Sequence, residues 1–173
     1  MNLILASKSP RRKEILERLG LKLTISPSYI VEPKYKSNQT PLEYVKNLAS
    51  IKSTLLSNQN SNSLVVGADT IVLYKNEIIG KPKDRGDAKL ILNKLSGSMH
   101  SVITGVSIQC LNKNILHNFY VSTKVYFRSI PNEQIEYYIN TNSPYDKSGA
   151  YGIQDWSSLF VEKIVFPLID PMK

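Results

Sequence analysis

The segment Leu3-Ile4-Leu5-Ala6-Ser7-Lys8-Ser9-Pro10-Arg11-Arg12-Lys13-Glu14-Ile15-Leu16-Glu17-Arg18-Leu19-Gly20 constrains this chain most, because an apolar run passes into a helical pattern with almost no loop between them. A buried strand turning straight into a helix is a building unit of α/β sheets, which place their ligands at such turns. Ser9 suits the N-cap and Pro10 the first helical position; Ile15, Leu16 and Leu19 form an apolar stripe, and Gly20 suits the C-terminal turn. Arg11, Arg12 and Lys13 then crowd the first turn, where the helix macrodipole is already positive and a further cation is unfavourable by roughly 0.3–1 kcal/mol. Helix N–H groups, serines on either side of Lys8 and two arginines able to fork onto oxygens make a phosphate site the functional reading. A solvated basic turn is the plain alternative.

With 173 residues, 42% hydrophobic and 21% charged, the chain has the size and composition of one globular domain. A formal charge of +8 and a pI near 9.5 point to anionic partners without choosing among nucleotide, nucleic acid and acidic surface. No apolar run approaches the roughly 20 residues of a membrane span. The N-terminal apolar stretch is too short for a signal peptide, and its basic residues follow it, so a cytoplasmic location is expected. Cys110 is the single cysteine; it fits a reducing compartment and reads as core, not nucleophile. His100 and His117 have no partners at metal-binding spacing.

Leu21 to Ser26 alternates as a second strand, and a loop from Ser28 to Thr40 carries Glu32, by itself an ordinary surface carboxylate. Thr40-Pro41-Leu42-Glu43 is a capping box that opens a helix with Leu42, Val45, Leu48, Ala49, Leu55 and Leu56 on its apolar face. Lys52 falls on that same face, where it either snorkels outward or reaches an anion in a cleft. In the strand Ser63 to Tyr74, Asp69 lies amid apolar neighbours. Such a carboxylate is costly unless paired or metal-bound, so a catalytic or metal-binding acid is favoured over a cap on a turn at Gly67. Ile78 and Ile79 return as a hairpin arm toward Lys81, which is expected near Asp69. Asp84 caps a helix bearing Ala88, Ile91, Leu92 and Leu95, with Gly97 beyond its end. Strands follow from Ser101 to Cys110 and from Ile115 to Arg128, then a short helix over Pro131 to Asn140 and a last strand from Leu159 to Val165. Between the last two lies the polar loop Ser143 to Gln154, of the composition that often carries function.

Assembled in this order, Leu5-Ala6-Ser7-Lys8-Ser9-Pro10-Arg11-Arg12, Gly67-Ala68-Asp69-Thr70, Gly80-Lys81-Pro82, Asp87-Ala88 and Asp146-Lys147-Ser148-Gly149-Ala150-Tyr151-Gly152-Ile153-Gln154 make the sequence resemble the Maf family of nucleoside triphosphate pyrophosphatases. The Ser-Pro-Arg-Arg, Ala-Asp-Thr and Gly-Ile-Gln forms resemble the branch acting on dTTP and UTP. The resemblance implies an α/β fold similar to inosine triphosphate pyrophosphatases: a mixed twisted sheet flanked by helices, two lobes about a central cleft, often a homodimer. It covers residues 1–173 as a single domain, shortened at the C-terminus, where Phe166-Pro167-Leu168-Ile169 stands in for a longer closing segment.

The resemblance further implies hydrolysis between the α- and β-phosphates, with Asp69 as base or metal-holding acid and Glu32 supporting a divalent cation, Mg²⁺ or else Mn²⁺. Ser7, Arg12, Lys52 and Lys81 would clamp the triphosphate, Lys81 among the catalytic groups. Arg11, Thr70 and Gln154 match positions linked to base selection, and Asp146 and Lys147 belong to the substrate-binding loop. The competing expectations are a nucleotide- or nucleic-acid-binding protein without turnover, and a purine-directed pyrophosphatase. Against nucleic acid, no basic stretch is interleaved with aromatics.

Overall fold

Strand β1 (Leu3–Leu5) leads through a four-residue turn into helix α1 (Pro10–Arg18), as the opening pattern requires. The computed structural model describes residues 1–36, 38–142 and 144–166. The remaining elements are β2 (Leu23–Ile25), α2 (Pro41–Gln59), β3 (Leu64–Tyr74), β4 (Glu77–Ile79), α3 (Arg85–Leu95), β5 (Met99–Cys110), β6 (Ile115–Phe127), α4 (Asn132–Thr141) and β7 (Val161–Val165). Seven strands form one mixed sheet flanked by helices, in the order β2-β1-β3-β5-β6-β7 with β4 also on β3. β1 runs parallel to β2 and β3, whereas β3–β4 and β6–β7 are antiparallel. The expected C-terminal segment from Pro167 onward lies outside the described residues, as does Ser143 of the polar loop.

Two compact units share this chain: Met1–Asp69 with Thr104–Tyr120, and Thr70–Ile103 with Val121 onward. In the first, Ile4, Ala6, Leu56 and Val65 form a small apolar cluster. Helix α2 starts at the expected capping box: Thr40 N–H donates to Glu43 Oε2 at 2.7 Å and Glu43 N–H to Thr40 Oγ1 at 3.2 Å. Val45, Leu48, Ala49 and Leu56 are buried on its inner face. Glycines let this helix lie unusually close to the strands: a Cβ on Gly67 would fall 2.3 Å from the Ala49 carbonyl oxygen, and one on Gly105 2.4 Å from that of Val45. Gly67 therefore marks a close approach inside β3 and not a turn. The seam is polar too, for Gln109 Nε2 donates to Ser53 Oγ and Thr54 Oγ1, both at 2.9 Å. Cys110 is buried, as expected.

In the second unit a larger core gathers Val72, Ile79, Leu92, Phe127, Ile135, Tyr138, Tyr151 and Phe160, among others. Asp84 caps α3 by accepting the Asp87 N–H at 2.8 Å. The last strand begins two residues later than its apolar pattern suggests, because Trp156–Phe160 forms a 3-10 segment whose cap, Asp155, accepts the Ser157 N–H at 3.0 Å.

The α1 stripe behaves differently from expectation. Ile15 is 52% exposed and Leu19 69%, and no residue of α1 is buried. Ser9 occupies the N-cap position but its side chain makes no capping bond; its N–H instead donates to Ser7 Oγ at 3.2 Å. What α1 contributes to the unit is thus its N-terminal turn.

Candidate active site

The first unit brings Lys52, Glu32 and Asp69 into one cluster, with Arg12 and Ser7 beside it. Lys52 rises from the buried face of α2, with its side chain 11% exposed, and its Nζ lies 2.8 Å from Glu32 Oε1 and bonds Asp69 Oδ1. It does not snorkel; two carboxylates from separate segments satisfy it inside the protein. Asp69, with a 16% exposed side chain, ends the first unit's portion of β3, while Glu32 reaches in from the irregular loop before α2 and stays about half exposed. The close approach at Gly67, two residues from Asp69, sets how near α2 can bring Lys52.

At the β1–α1 turn, Arg12 Nη1 donates to Ser7 Oγ at 3.1 Å, so the buried Ser7 hydroxyl accepts both this bond and that of Ser9 N–H. Burial pulls the Arg12 guanidinium below its ordinary value; the Asp69 charge opposes this, Arg11 adds to it and Glu32 opposes it. These influences put Arg12 within electrostatic range of both carboxylates and of Arg11. Lys13, the third cation of the turn, faces Glu17 at 3.7 Å on the surface. Arg12 and Ser7, at a helix N-terminus where anions are favoured, thus lie within electrostatic range of the Glu32 and Asp69 carboxylates that Lys52 gathers.

Tyr44, one of the residues the sequence did not single out, belongs to the same neighbourhood. Its hydroxyl donates to the Pro33 carbonyl at 3.0 Å, beside Glu32. Burial raises its pKa, as do the Glu32 and Asp69 charges, while Lys52 lowers it. Its position on α2, eight residues before Lys52, is the one sequence signal that could have drawn attention to it.

The other expected residues lie in the second unit. Lys81 is exposed beyond β4, next to Gly80, whose carbonyl accepts the Gly149 N–H at 3.0 Å. The Thr70 carbonyl accepts the Ser148 hydroxyl at 3.1 Å, which ties β3 to the polar loop. In that loop Lys147 Nζ pairs with Asp146 Oδ1 at 2.9 Å and lies 3.7 Å from Asp155 Oδ2. Asp155 takes a Tyr138 hydroxyl hydrogen bond at 3.3 Å and anchors the loop beyond Gln154, which is exposed on a turn. A Ser157 hydroxyl bond to the Gly152 carbonyl at 2.9 Å closes the turn from the other side.

With this geometry in place, the comparisons with known proteins become specific. The model of the Maf-like protein family matches residues 2–166. The chain belongs to the Maf-like family. This Maf-like chain is 46% identical over 164 residues to the dTTP/UTP pyrophosphatase of Alkaliphilus metalliredigens, covering 94% of itself and 84% of that protein. It is 43% identical over 166 residues to the dTTP/UTP pyrophosphatase of Clostridioides difficile, covering 95% and 84%. Among solved structures, it shares its fold with the nucleoside-triphosphatase / dITP/XTP pyrophosphatase of Mycobacterium abscessus, at a TM-score of 0.53, 16% identity and 76% coverage of each chain. The Ham1 protein of Staphylococcus aureus gives a TM-score of 0.50 at 12% identity, covering 73% of this chain and 72% of that one.

Proposed function

We propose that the protein hydrolyses nucleoside triphosphates, dTTP and UTP foremost, between the α- and β-phosphates to a nucleoside monophosphate and pyrophosphate. The observation that carries the reading is the Lys52 ammonium gathering Glu32 and Asp69 at one point, within range of the Arg12–Ser7 pair. Water attacks the α-phosphorus, Asp69 takes its proton, and the bond to the β-phosphate bridging oxygen breaks with pyrophosphate as leaving group. Negative charge grows on the leaving oxygens, and Arg12 and Lys52 supply the fixed cations that offset it. Ser7 holds Arg12 in place and presents its hydroxyl to phosphate.

The carboxylates fit a divalent cation. Both touch the same Lys52 nitrogen, so they converge, and an all-oxygen pair suits Mg²⁺, which takes one or two carboxylates together with substrate phosphates. Glu32 and Asp69 would be its protein ligands. Bound there, Mg²⁺ would neutralise phosphate charge; Mn²⁺ is the alternative.

Lys81 is a further proposed triphosphate contact, Asp146 and Lys147 are proposed substrate-binding residues, and Arg11, Thr70 and Gln154 proposed readers of the base, an amide being suited to a pyrimidine's donor and acceptor edge. A cytoplasmic location and a homodimer complete the proposal; among the described residues no helix is long and apolar enough to cross a membrane. The test is pyrophosphate release from a panel of nucleoside triphosphates with Mg²⁺. Preferential release from dTTP and UTP supports the reading, a purine preference moves the substrate class, and nucleotide binding without release overturns it.

A further inference from the structure

Glu32 lies in a stretch that has little of its own to hold it. Residues 27–36 form neither helix nor strand, and the neighbouring Tyr29 and Val31 are 79% and 97% exposed. A carboxylate on such a segment samples many positions unless its backbone is fixed, and fixing it costs conformational entropy. Helix α2 grips this stretch at consecutive residues: Lys52 takes the Glu32 carboxylate at 2.8 Å, and the Tyr44 hydroxyl donates to the Pro33 carbonyl at 3.0 Å. Eight residues separate Tyr44 from Lys52, about 12 Å along the helix, so the two side chains reach toward the loop from two stations on one rigid element. The Tyr44 ring is itself braced edge-on by Tyr35, with centroids 5.3 Å apart, and the Tyr35 hydroxyl donates to the Gln39 carbonyl at 2.9 Å.

We propose that Tyr44 is a positioning residue: by fixing the Pro33 carbonyl it holds Glu32 at the Lys52–Asp69 centre, where Glu32 helps to bind the divalent cation that hydrolysis uses. This rests on the reading of the cluster as a pyrophosphatase site, and it assigns Tyr44 no contact with substrate. The hydroxyl matters and the ring does not, because the ring's edge contact with Tyr35 survives removal of the oxygen.

The experiment compares the full chain with Tyr44→Phe, Glu32→Gln and the double variant in two readouts: Mn²⁺ affinity from titration of the metal alone, and kcat and KM for dTTP with Mg²⁺. Tyr44→Phe is expected to weaken Mn²⁺ binding and lower kcat by about five- to tenfold, the scale of one lost hydrogen bond, with KM within about twofold of wild type and Tm little changed. In the Glu32→Gln background the same substitution is expected to add nothing, which a merely structural tyrosine would not do. Unchanged Mn²⁺ affinity and kcat in Tyr44→Phe, or an equal loss in the Glu32→Gln background, overturns the positioning role. A wild type that binds Mn²⁺ with the expected tyrosine dependence but releases no pyrophosphate overturns the hydrolytic reading and supports the positioning of Glu32. A wild type inert in both readouts overturns both.

Discussion

Lys52 of α2 joins Asp69 of β3 to Glu32 of the preceding loop, its Nζ bonded to Asp69 Oδ1 and 2.8 Å from Glu32 Oε1. Removing this cation leaves two carboxylates facing each other with one of them largely buried. Lys52→Met is therefore expected to destabilise the protein by about 2–3 kcal/mol, at or below the lower limit for a broken buried pair because Glu32 keeps access to water. Urea denaturation measures this. On the proposed reading, in which Lys52 offsets charge on the leaving group, pyrophosphate release from dTTP should fall at least about a hundredfold.

Gly67 sets the distance between α2 and β3. A methyl group there would meet the Ala49 carbonyl oxygen at 2.3 Å and the Ser53 nitrogen at 2.8 Å, backbone atoms that cannot swing aside. Gly67→Ala should cost about 1–3 kcal/mol in chemical denaturation. Because any relaxation moves α2, kcat should also drop in protein that remains folded.

The burial of His100 gives the protein an acid sensitivity of its own. It is 1% exposed, its Nε2 shares a 2.6 Å hydrogen bond with the Tyr151 hydroxyl, and the Phe127 ring packs edge-on against it. Burial pushes it down to about 4 from an ordinary 6.5, so the fold favours the neutral ring. Its contribution is fully present above pH 6.5 and is lost as pH falls from there toward 4, by about 3 kcal/mol at most. Denaturation midpoints at pH 7 and pH 4.5 for wild type and His100→Asn check this. The variant should be less stable at pH 7 and lose less on acidification.

Periodicity and punctuation made much of this legible. The capping box at Thr40 fixed the start of α2, and helical spacing put Lys52 on its buried side seventeen residues before an aspartate embedded in a strand. Spacing could not show that Lys52 meets Glu32, because the irregular loop before α2 has no period from which a direction can be read. For the same reason Tyr44 escaped notice: it acts through a backbone carbonyl, not through a pattern. The α1 stripe teaches the complementary point. A period identifies which face is apolar but not whether another element covers it, and Ile15 and Leu19 are exposed.

The central claim is that Asp69 acts in the chemical step while the cations around it hold the triphosphate. Its most direct measurement is pyrophosphate release from dTTP and UTP by Asp69→Asn, alongside equilibrium binding of the same nucleotides. The variant should still bind both nucleotides, while release falls by about a thousandfold or more, since a general base is lost and a metal-holding carboxylate goes with it. Turnover equal to wild type in that variant would contradict the account.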